Sequence, residues 1–284
     1  MAEAPGRVLV TGGAGLLGRA LLRTAPGGVD LHATQRHSPV VEAEAHTVEL
    51  SDGVAVAALW ARLHPTLVIH TAYSMHEGER DIWAATTNVV AACREVGAAL
   101  LYMSTDALFD GTRGPYRESD EPTPVYEYGK WKARAERFVR EEMPEAPVVR
   151  TSLITEFDPL DVRSAWVANA LRAGEPITLF VDEIRCPIAP EDLARQLWEL
   201  AALPASGRGG IWHLAGPEAI SRYTLGLLIA AHEGLDPSGI TPGFSADLPG
   251  PRPRDVRLLT ARADQTLTTR ARPISALAVT AAGA

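Results

Sequence analysis

The sequence predicts an α/β fold, a Rossmann-like doubly wound parallel sheet with a smaller C-terminal α/β lobe. In the first half of the chain, short apolar runs alternate with helical patterns. Strands that are apolar along their whole length are typical of parallel sheets covered on both faces. Right-handed crossovers then wind the helices onto both faces of the sheet. After about residue 155 this rhythm breaks, proline becomes more frequent and the connections lengthen.

The individual elements follow from the spacing of apolar and β-branched residues. Strands are expected at residues 7–11, 29–34, 47–50, 66–71 and 98–104, and helices at 16–23, 54–63 and 84–96. In the second half, helices are expected at 164–173, 190–202 and 223–232, with a strand at 210–215. We therefore predict a Rossmann domain at residues 1–155 and a smaller lobe at 156–284, with the chain crossing back to the first domain around 188–215.

Composition and charge narrow the class of protein. The 284-residue chain is 46% hydrophobic and has a formal net charge of −8, so it gives no support to binding of nucleic acid or an anionic membrane. Cys93 and Cys186 lie far apart, without the spacing of a zinc site or a redox pair. Met1–Pro5 runs straight into the first strand, and no apolar run approaches the ~20 residues of a membrane span. We expect no signal peptide and a soluble, cytoplasmic protein.

A glycine-rich turn follows the first predicted strand and opens the first helix. Residues Thr11–Gly18 read TGGAGLLG, in which three glycines have the spacing GxxGxxG. Glycine permits the tight turn and lets a pyrophosphate approach the backbone, while the helix N-terminus offers free N–H groups. This pattern predicts a dinucleotide site. The expected contacts are Gly12, Gly15, Leu16, Leu17 and Gly18.

The end of the second predicted strand indicates which dinucleotide is bound. An acidic residue there would bind the 2′-hydroxyl of NAD, but residues 34–37 read TQRH and contain no acid. The guanidinium of Arg36 is suited to the 2′-phosphate of NADP. A solvated loop arginine is the alternative interpretation. We expect NADP as cofactor, with NADPH preferred over NADH.

A candidate acid–base pair lies in the segment YEYGKWK. It contains two Tyr-x-x-x-Lys pairs, Tyr126 with Lys130 and Tyr128 with Lys132, and the spacing i,i+4 places each pair on one helix face. These are the only two lysines of the chain, against 25 arginines, which favours a chemical role for the segment. A neighbouring ammonium is expected to lower the tyrosine pKa and make the phenol a general acid–base.

Hydroxyl groups end the strand predicted at residues 98–104. Ser104 and Thr105 stand at the carboxyl end of this strand, where ligands of open α/β sheets bind, and Asp106 follows them. Such a hydroxyl could hold a substrate carbonyl oxygen beside the phenol. A helix N-cap is the alternative interpretation.

With these residues identified, the chain resembles the extended short-chain dehydrogenase/reductases, and more narrowly their dTDP-4-dehydrorhamnose reductase branch, over roughly residues 6 to 262. The run STDALFDG at residues 104–111 is similar to a segment of that branch, and the resemblance makes Thr105 the catalytic hydroxyl. The branch's pattern of Pro, Tyr-Gly, Lys and Glu is matched by Pro124, Tyr128, Gly129, Lys132 and Glu136. The resemblance therefore selects Tyr128 and Lys132 over Tyr126 and Lys130.

The same resemblance implies further site residues. Residues 150–153, RTSL, are similar to the strand end beside the nicotinamide, and residues 252–258 to a stretch near the nucleotide-sugar pocket. The implied additional cofactor contacts are Ala72, Ser104, Thr151 and Leu153, and the implied substrate contacts are Asp106, Arg252 and Arg257. Residues 73–80 and 154–159 depart from the family pattern, which weakens the inference about substrate.

The function implied is NADPH-dependent reduction of a nucleotide-bound 4-keto-6-deoxysugar, with NADP held by the first domain and substrate by the second. Two alternatives remain open: reduction of a non-sugar carbonyl in secondary metabolism, and a non-catalytic NADP-binding regulatory subunit. A homodimer is a possible assembly by analogy with this scaffold. No metal site is expected, because no His/Asp/Glu cluster has ligand spacing, and the acidic loop 77–81 is expected to be solvated surface.

Overall fold

The computed structural model describes residues 6–279, so the expectation about Met1–Pro5 lies outside the described residues. The strands are β1 (Arg7–Thr11), β2 (Asp30–Gln35), β3 (Glu44–Thr47), β4 (Leu67–His70), β5 (Ala99–Thr105), β6 (Pro147–Thr151), β7 (Ile177–Phe180), β8 (Ile184–Arg185), β9 (Gly210–Leu214), β10 (Ile220–Ser221) and β11 (Ile240–Gly243). The α-helices are α1 (Leu16–Arg23), α2 (Gly53–Leu63), α3 (Ala85–Val96), α4 (Glu127–Glu142), α5 (Val162–Arg172), α6 (Pro190–Ala202), α7 (Ala205–Arg208), α8 (Arg222–His232), α9 (Ala261–Thr266) and α10 (Ile274–Val279). A π-helical segment, Glu79–Ala84, leads into α3.

Seven strands form one parallel sheet in the order β3-β2-β1-β4-β5-β6-β9. The order reverses between β1 and β4, so the carboxyl ends of these strands flank a crevice at the topological switch point. This architecture confirms the predicted doubly wound α/β fold. Strand β9 belongs to this sheet although it lies late in the chain, whereas the division at residue 155 remains a prediction.

Two hydrophobic cores cover the two faces of the sheet. On one face, α1 and α6 pack together, and the indole N–H of Trp198 in α6 donates to the Leu21 carbonyl in α1 at 3.1 Å. On the other face, α2, α3 and α4 bury Trp60, whose indole N–H contacts the Cys93 sulfur at 3.4 Å. Because both faces are buried, the strands carry near-continuous apolar sequences, as the prediction assumed.

The C-terminal lobe has its own small core. Helices α5, α8 and α10 pack around the parallel pair β7 and β11, and Ile177, Ile229, Ile240 and Ile274 are buried there. Strands β8 and β10 form a separate, short antiparallel pair. In the part of the chain that the structure describes, no helix is long and apolar enough to cross a membrane.

Most predicted elements lie within about two residues of the observed ones, and β1, α1 and α6 have the predicted bounds. The third strand was predicted wrongly, at 47–50 instead of Glu44–Thr47. The prediction followed the apolar residues Val48 and Leu50, but these are buried in the connection to α2. The strand itself is polar because it lies at the sheet edge, where its outer side meets water.

Candidate active site

The glycine turn between β1 and α1 is shaped by contacts that only glycine allows. Gly12 has φ of +72°, the left-handed region. A Cβ atom on Gly18 would lie 2.2 Å from the Gly12 carbonyl oxygen, so any side chain there would push the helix away from the turn. Helix α1 begins after Gly15 without a side-chain cap. The amides of its first turn are therefore available to an anion.

This turn borders a cavity of about 950 Å³ at the carboxyl ends of the sheet strands, at the upper end of the range for cofactor sites. The cavity brings together residues predicted separately from distant segments. Its lining includes the predicted residues Gly12, Gly15, Leu16, Leu17, Gly18, Arg36, Ala72, Ser104, Thr105, Asp106, Tyr128, Lys132, Thr151 and Leu153. The predicted catalytic and cofactor residues thus share one crevice.

The two lysines of α4 have opposite environments. Lys132 is buried, and its Nζ donates to the Met103 carbonyl oxygen of β5 at 2.6 Å. Lys130 is exposed and pairs with Glu127 at 2.7 Å. Of the two candidate pairs, only Tyr128 with Lys132 lines the cavity with both members, because Tyr126 lines it without Lys130.

The pKa of Tyr128 differs from the expected one. Burial raises it well above its usual value, the neighbouring phenols of Tyr73 and Tyr126 raise it further, and a hydrogen bond with Thr105 opposes the rise. The expectation that an ammonium lowers this pKa is therefore wrong for this geometry. The reason is that Lys132 directs its Nζ to a backbone carbonyl, and burial lowers its own pKa to about 7.

The buried Lys132 predicts a pH-dependent stability. Because folding lowers its pKa from 10.5 to about 7, the unfolded chain binds an extra proton between these values, and stability rises with pH in that window. We expect the unfolding free energy of wild type, measured in urea, to rise relative to that of Lys132→Met from about pH 7 to pH 10. Lys130→Met is the matched control, since that ammonium remains in water. Parallel curves for wild type and Lys132→Met would contradict the burial argument.

Thr105 has both of the roles that the sequence suggested as alternatives. Its side chain accepts from the Ala107 amide at 3.2 Å and so caps the 3₁₀ turn Asp106–Leu108. The same hydroxyl lies near enough to the Tyr128 phenol to oppose the rise of its pKa. The cap fixes the threonine rotamer, which keeps the hydroxyl beside the phenol. Asp106, also in the cavity wall, is buried and accepts from the Ser152 hydroxyl at 2.7 Å.

Beneath these residues lies a buried ion pair that the sequence did not reveal. Arg150 on β6 is fully buried and donates to the Glu136 carboxylate of α4 at 2.6 Å. Glu136 also accepts from the Ser104 hydroxyl at 2.7 Å, and Arg150 donates to the Asp120 carbonyl at 3.0 Å. This network joins α4, β5, β6 and the loop before α4, so it holds the Tyr128 helix against the strand end that carries Thr105.

Arg36 lies in the cavity wall, as predicted, but two acids already bind it. Its guanidinium contacts Asp81 at 3.0 Å and Glu49 at 3.5 Å. The expectation that loop 77–81 is solvated surface is wrong for Asp81, whose side chain is 6% exposed and also pairs with Arg80. Although no acidic residue follows β2 directly in the sequence, the fold brings two carboxylates from other segments to Arg36.

The structure does not place Arg252 and Arg257 in the cavity lining. Arg252 pairs with Glu183 at 3.2 Å, and Arg257 pairs with Asp255 at 2.6 Å, so their guanidinium groups are held elsewhere. Other arginines line the cavity instead: Arg163, Arg185 and Arg222. Sequence reasoning missed them because no local motif surrounds them.

Arg185 has an unusual environment among these. It is buried, its Nη2 donates to the Pro253 carbonyl, and its Nε lies 3.8 Å from Asp106. Its Nη1 is buried and has no hydrogen-bond partner among the described residues. Arg222 lies close enough that the charge of Arg185, together with burial, lowers its pKa. Arg222 is partly exposed and pairs with Glu183 at 3.6 Å, whereas Arg185 has an unused buried donor, so the two cations together are suited to an anion.

Comparisons with known proteins agree with this arrangement. The family model of the RmlD substrate binding domain matches residues 6–280. A probable low-salt glycan biosynthesis reductase, Agl14, of Haloferax volcanii is 32% identical, covering 86% of this chain and 87% of its own. A dTDP-4-dehydrorhamnose reductase of Streptomyces griseus is also 32% identical, covering 87% and 84%. The methionine adenosyltransferase 2 subunit beta of Pongo abelii is 31% identical, covering 89% and 80%.

Among solved structures, a dTDP-4-dehydrorhamnose reductase of Bacillus anthracis in complex with NADP superposes with a TM-score of 0.82. It covers 98% of this chain and 97% of its own at 22% identity, and so supports the fold. The family model spans nearly all of the chain, and the relatives exceed 30% identity over most of both lengths. The family resemblance predicted from the motifs is confirmed: this chain belongs to the RmlD substrate binding domain family, within the extended short-chain dehydrogenase/reductases.

Proposed function

We propose that the protein is an NADPH-dependent reductase of a nucleotide-bound 4-keto-6-deoxysugar, with Thr105, Tyr128 and Lys132 as catalytic residues. The observation that carries the proposal is that these three residues and the glycine turn line a single cavity. The similarity to sugar-nucleotide reductases supports the same reaction class.

The residues of the crevice fit NADPH. The first-turn amides of α1 suit the pyrophosphate, and Arg36 suits the 2′-phosphate. Ala72, Thr151 and Leu153 line the cavity where the nicotinamide half would bind, and Lys132, whose Nζ donates to the Met103 carbonyl, lines the same cavity and would bind a ribose hydroxyl. When bound, NADPH supplies the hydride that reduces the carbonyl carbon.

Residues of the chain supply the proton that the carbonyl oxygen receives during reduction. The Thr105 hydroxyl, fixed by its cap, holds the carbonyl oxygen, and the Tyr128 phenol donates a proton to that oxygen as negative charge develops there. Because burial raises the pKa of Tyr128, the phenol is fully protonated near neutral pH and ready to donate. The phenol then regains its proton from solvent.

Arg185 and Arg222 support an anionic substrate. Their guanidinium groups line the cavity on the lobe side, and the unpaired Nη1 of Arg185 requires a partner. The diphosphate of a nucleotide sugar supplies such acceptors, whereas a simple ketone does not. We propose these two residues as substrate contacts in place of Arg252 and Arg257, with Asp106 beside them.

A turnover panel tests the substrate. We expect NADPH oxidation with dTDP- or UDP-linked 4-keto-6-deoxysugars and little with simple ketones or aldehydes. Arg185→Ala should raise KM for the nucleotide sugar by about 10- to 100-fold, the loss of roughly one charge-assisted bond. Arg257→Ala is the matched control, because its guanidinium pairs with Asp255 outside the cavity lining, and it should behave as wild type. Efficient turnover of simple carbonyls alone would contradict the sugar proposal.

The cofactor preference has its own prediction. Arg36→Ala should weaken NADPH binding by about 10- to 100-fold and leave NADH binding nearly unchanged, because NADH lacks the 2′-phosphate that the guanidinium would bind. Asp81→Asn is the opposing variant: it removes the negative charge 3.0 Å from the Arg36 guanidinium and should tighten NADPH binding. Dissociation constants from fluorescence titration measure both effects. If the wild-type protein binds NADH more tightly than NADPH, Arg36 does not select the cofactor.

A second candidate function follows from the similarity to methionine adenosyltransferase 2 subunit beta. A non-catalytic nucleotide-binding subunit would bind NADPH in the same crevice without turnover. The complete set of Thr105, Tyr128 and Lys132 favours the reductase. We further propose that the enzyme is cytoplasmic, does not bind membranes and forms a homodimer, which sedimentation of the purified protein would test.

A further inference from the structure

A cluster of two histidines and a carboxylate lies on β2 and β3, away from the cavity. In the sheet register, His32 of β2 is the partner of Glu44 of β3, and His46 follows Glu44 by two residues, so all three point to the same face. None of the three lines the candidate active site. One ligand atom from each lies within 4.8 Å of the others.

The separations of these atoms are close to those in a metal site. His32 Nδ1 lies 3.0 Å from His46 Nε2, and Glu44 oxygens lie 3.8 Å from each of these nitrogens. Two atoms bound to one tetrahedral zinc ion at its usual bond lengths are about 3.3 Å apart. The two 3.8 Å distances involve different oxygens of Glu44, and with one oxygen taken the three ligand atoms lie within 4.8 Å of one another, so a rotation of this exposed carboxylate is needed to bring one oxygen to both nitrogens.

A second carboxylate lies beside one histidine. The other ring nitrogen of His32, Nε2, is 3.1 Å from an oxygen of Asp30 but is not aligned for a hydrogen bond with it or with any other described residue. Metal-binding histidines usually donate their second N–H to such a group, which fixes the tautomer that leaves the first nitrogen free for the metal. Both histidine side chains are less than 10% exposed, whereas Glu44 is 69% exposed and can move to close the site.

We propose that His32, Glu44 and His46 bind a divalent transition-metal ion of the zinc type, with water as a fourth ligand. Such an ion would connect the edge strand β3 to β2, a junction otherwise made by four residues of polar strand. Local sequence spacing predicted no metal site because the ligands come from two strands, and only the sheet register brings them together.

Arg62 gives the proposal a specific consequence. Its Nη2 lies 3.4 Å from His46 Nδ1, the nitrogen that must carry the proton when Nε2 binds a metal. A guanidinium at this position opposes that tautomer by repulsion. Removing the charge should therefore strengthen metal binding, which a merely structural role of the cluster would not predict.

The test is calorimetric titration of the untagged, full-length protein with Zn²⁺, together with thermal melting of the zinc-saturated protein. We expect one site in the titration, a rise in Tm of about 5 °C in the melt, and at least tenfold tighter binding of Zn²⁺ in Arg62→Gln. His46→Gln and Glu44→Gln should weaken binding at least tenfold, while His76→Gln, an exposed histidine outside the cluster, is the control.

Cobalt spectroscopy keeps the test valid if a histidine variant folds poorly. Co²⁺ bound by two imidazoles and a carboxylate should give visible absorption in wild type and in Arg62→Gln, with Zn²⁺ displacing it. The proposal is overturned if wild type binds neither ion, or if Glu44→Gln and His46→Gln bind as wild type does. It is also overturned if Arg62→Gln binds no more tightly than wild type.

Discussion

Replacing Tyr128 by phenylalanine should lower kcat by about 10²- to 10⁴-fold while leaving NADPH affinity nearly unchanged. The phenol lines the cavity together with Thr105 and Lys132, and in our proposal it is the acid that protonates the carbonyl oxygen. Phenylalanine preserves the ring packing against Tyr73, whose centroid lies 5.7 Å away, and removes only the hydroxyl group. Steady-state kinetics with the best nucleotide sugar of the panel, together with an NADPH titration, measure both quantities.

Tyr126→Phe is the matched control. Tyr126 lies in the same cavity, with its ring centroid 6.2 Å from that of Tyr128, and differs by two residues in the same segment. Because its lysine partner by spacing, Lys130, is exposed, we expect a change of only a few fold in kcat. If the two variants lose equal activity, or if Tyr126→Phe loses more, the assignment of the acid is wrong.

The choice between these two tyrosines separates what local sequence patterns can predict from what they cannot. The pair of i,i+4 matches left the choice open, and only a family pattern or the direction of α4 decides it. The glycine turn was predictable residue by residue, because its backbone conformation depends on local contacts such as that of Gly18 with the Gly12 carbonyl. The apolar strands were predictable because burial on both faces dictates their composition.

Long-range partners were not predictable in the same way. Asp81 reaches Arg36 across 45 positions, and Arg185 reaches the cavity from a two-residue strand. No local pattern marks either contact, since each depends on how the lobe and the π-helical segment fold back on the sheet. The predicted pKa shift of Tyr128 failed for a related reason: local spacing reveals a neighbouring charge but not the desolvation that opposes it.

The buried pair below the site should have the largest effect on stability. Arg150→Met leaves the Glu136 carboxylate buried without its guanidinium, and we expect a loss of about 3–5 kcal/mol in the free energy of unfolding. Urea denaturation, followed by tryptophan fluorescence, measures this loss. Arg94→Met is the control, because its pair with Glu142 is exposed and should contribute no more than about 1 kcal/mol.

A double variant separates the pair's own energy from the cost of an orphaned charge. In Glu136→Gln/Arg150→Met no charge remains uncompensated, so the double variant should be less destabilised than the sum of the two single variants. Additive losses would show that the pair acts as two independent groups. A smaller loss in the double variant would mean that much of each single loss comes from the charge that is left buried without its partner. Such a mutually dependent pair fixes α4 against β6 and so keeps Tyr128 near Thr105.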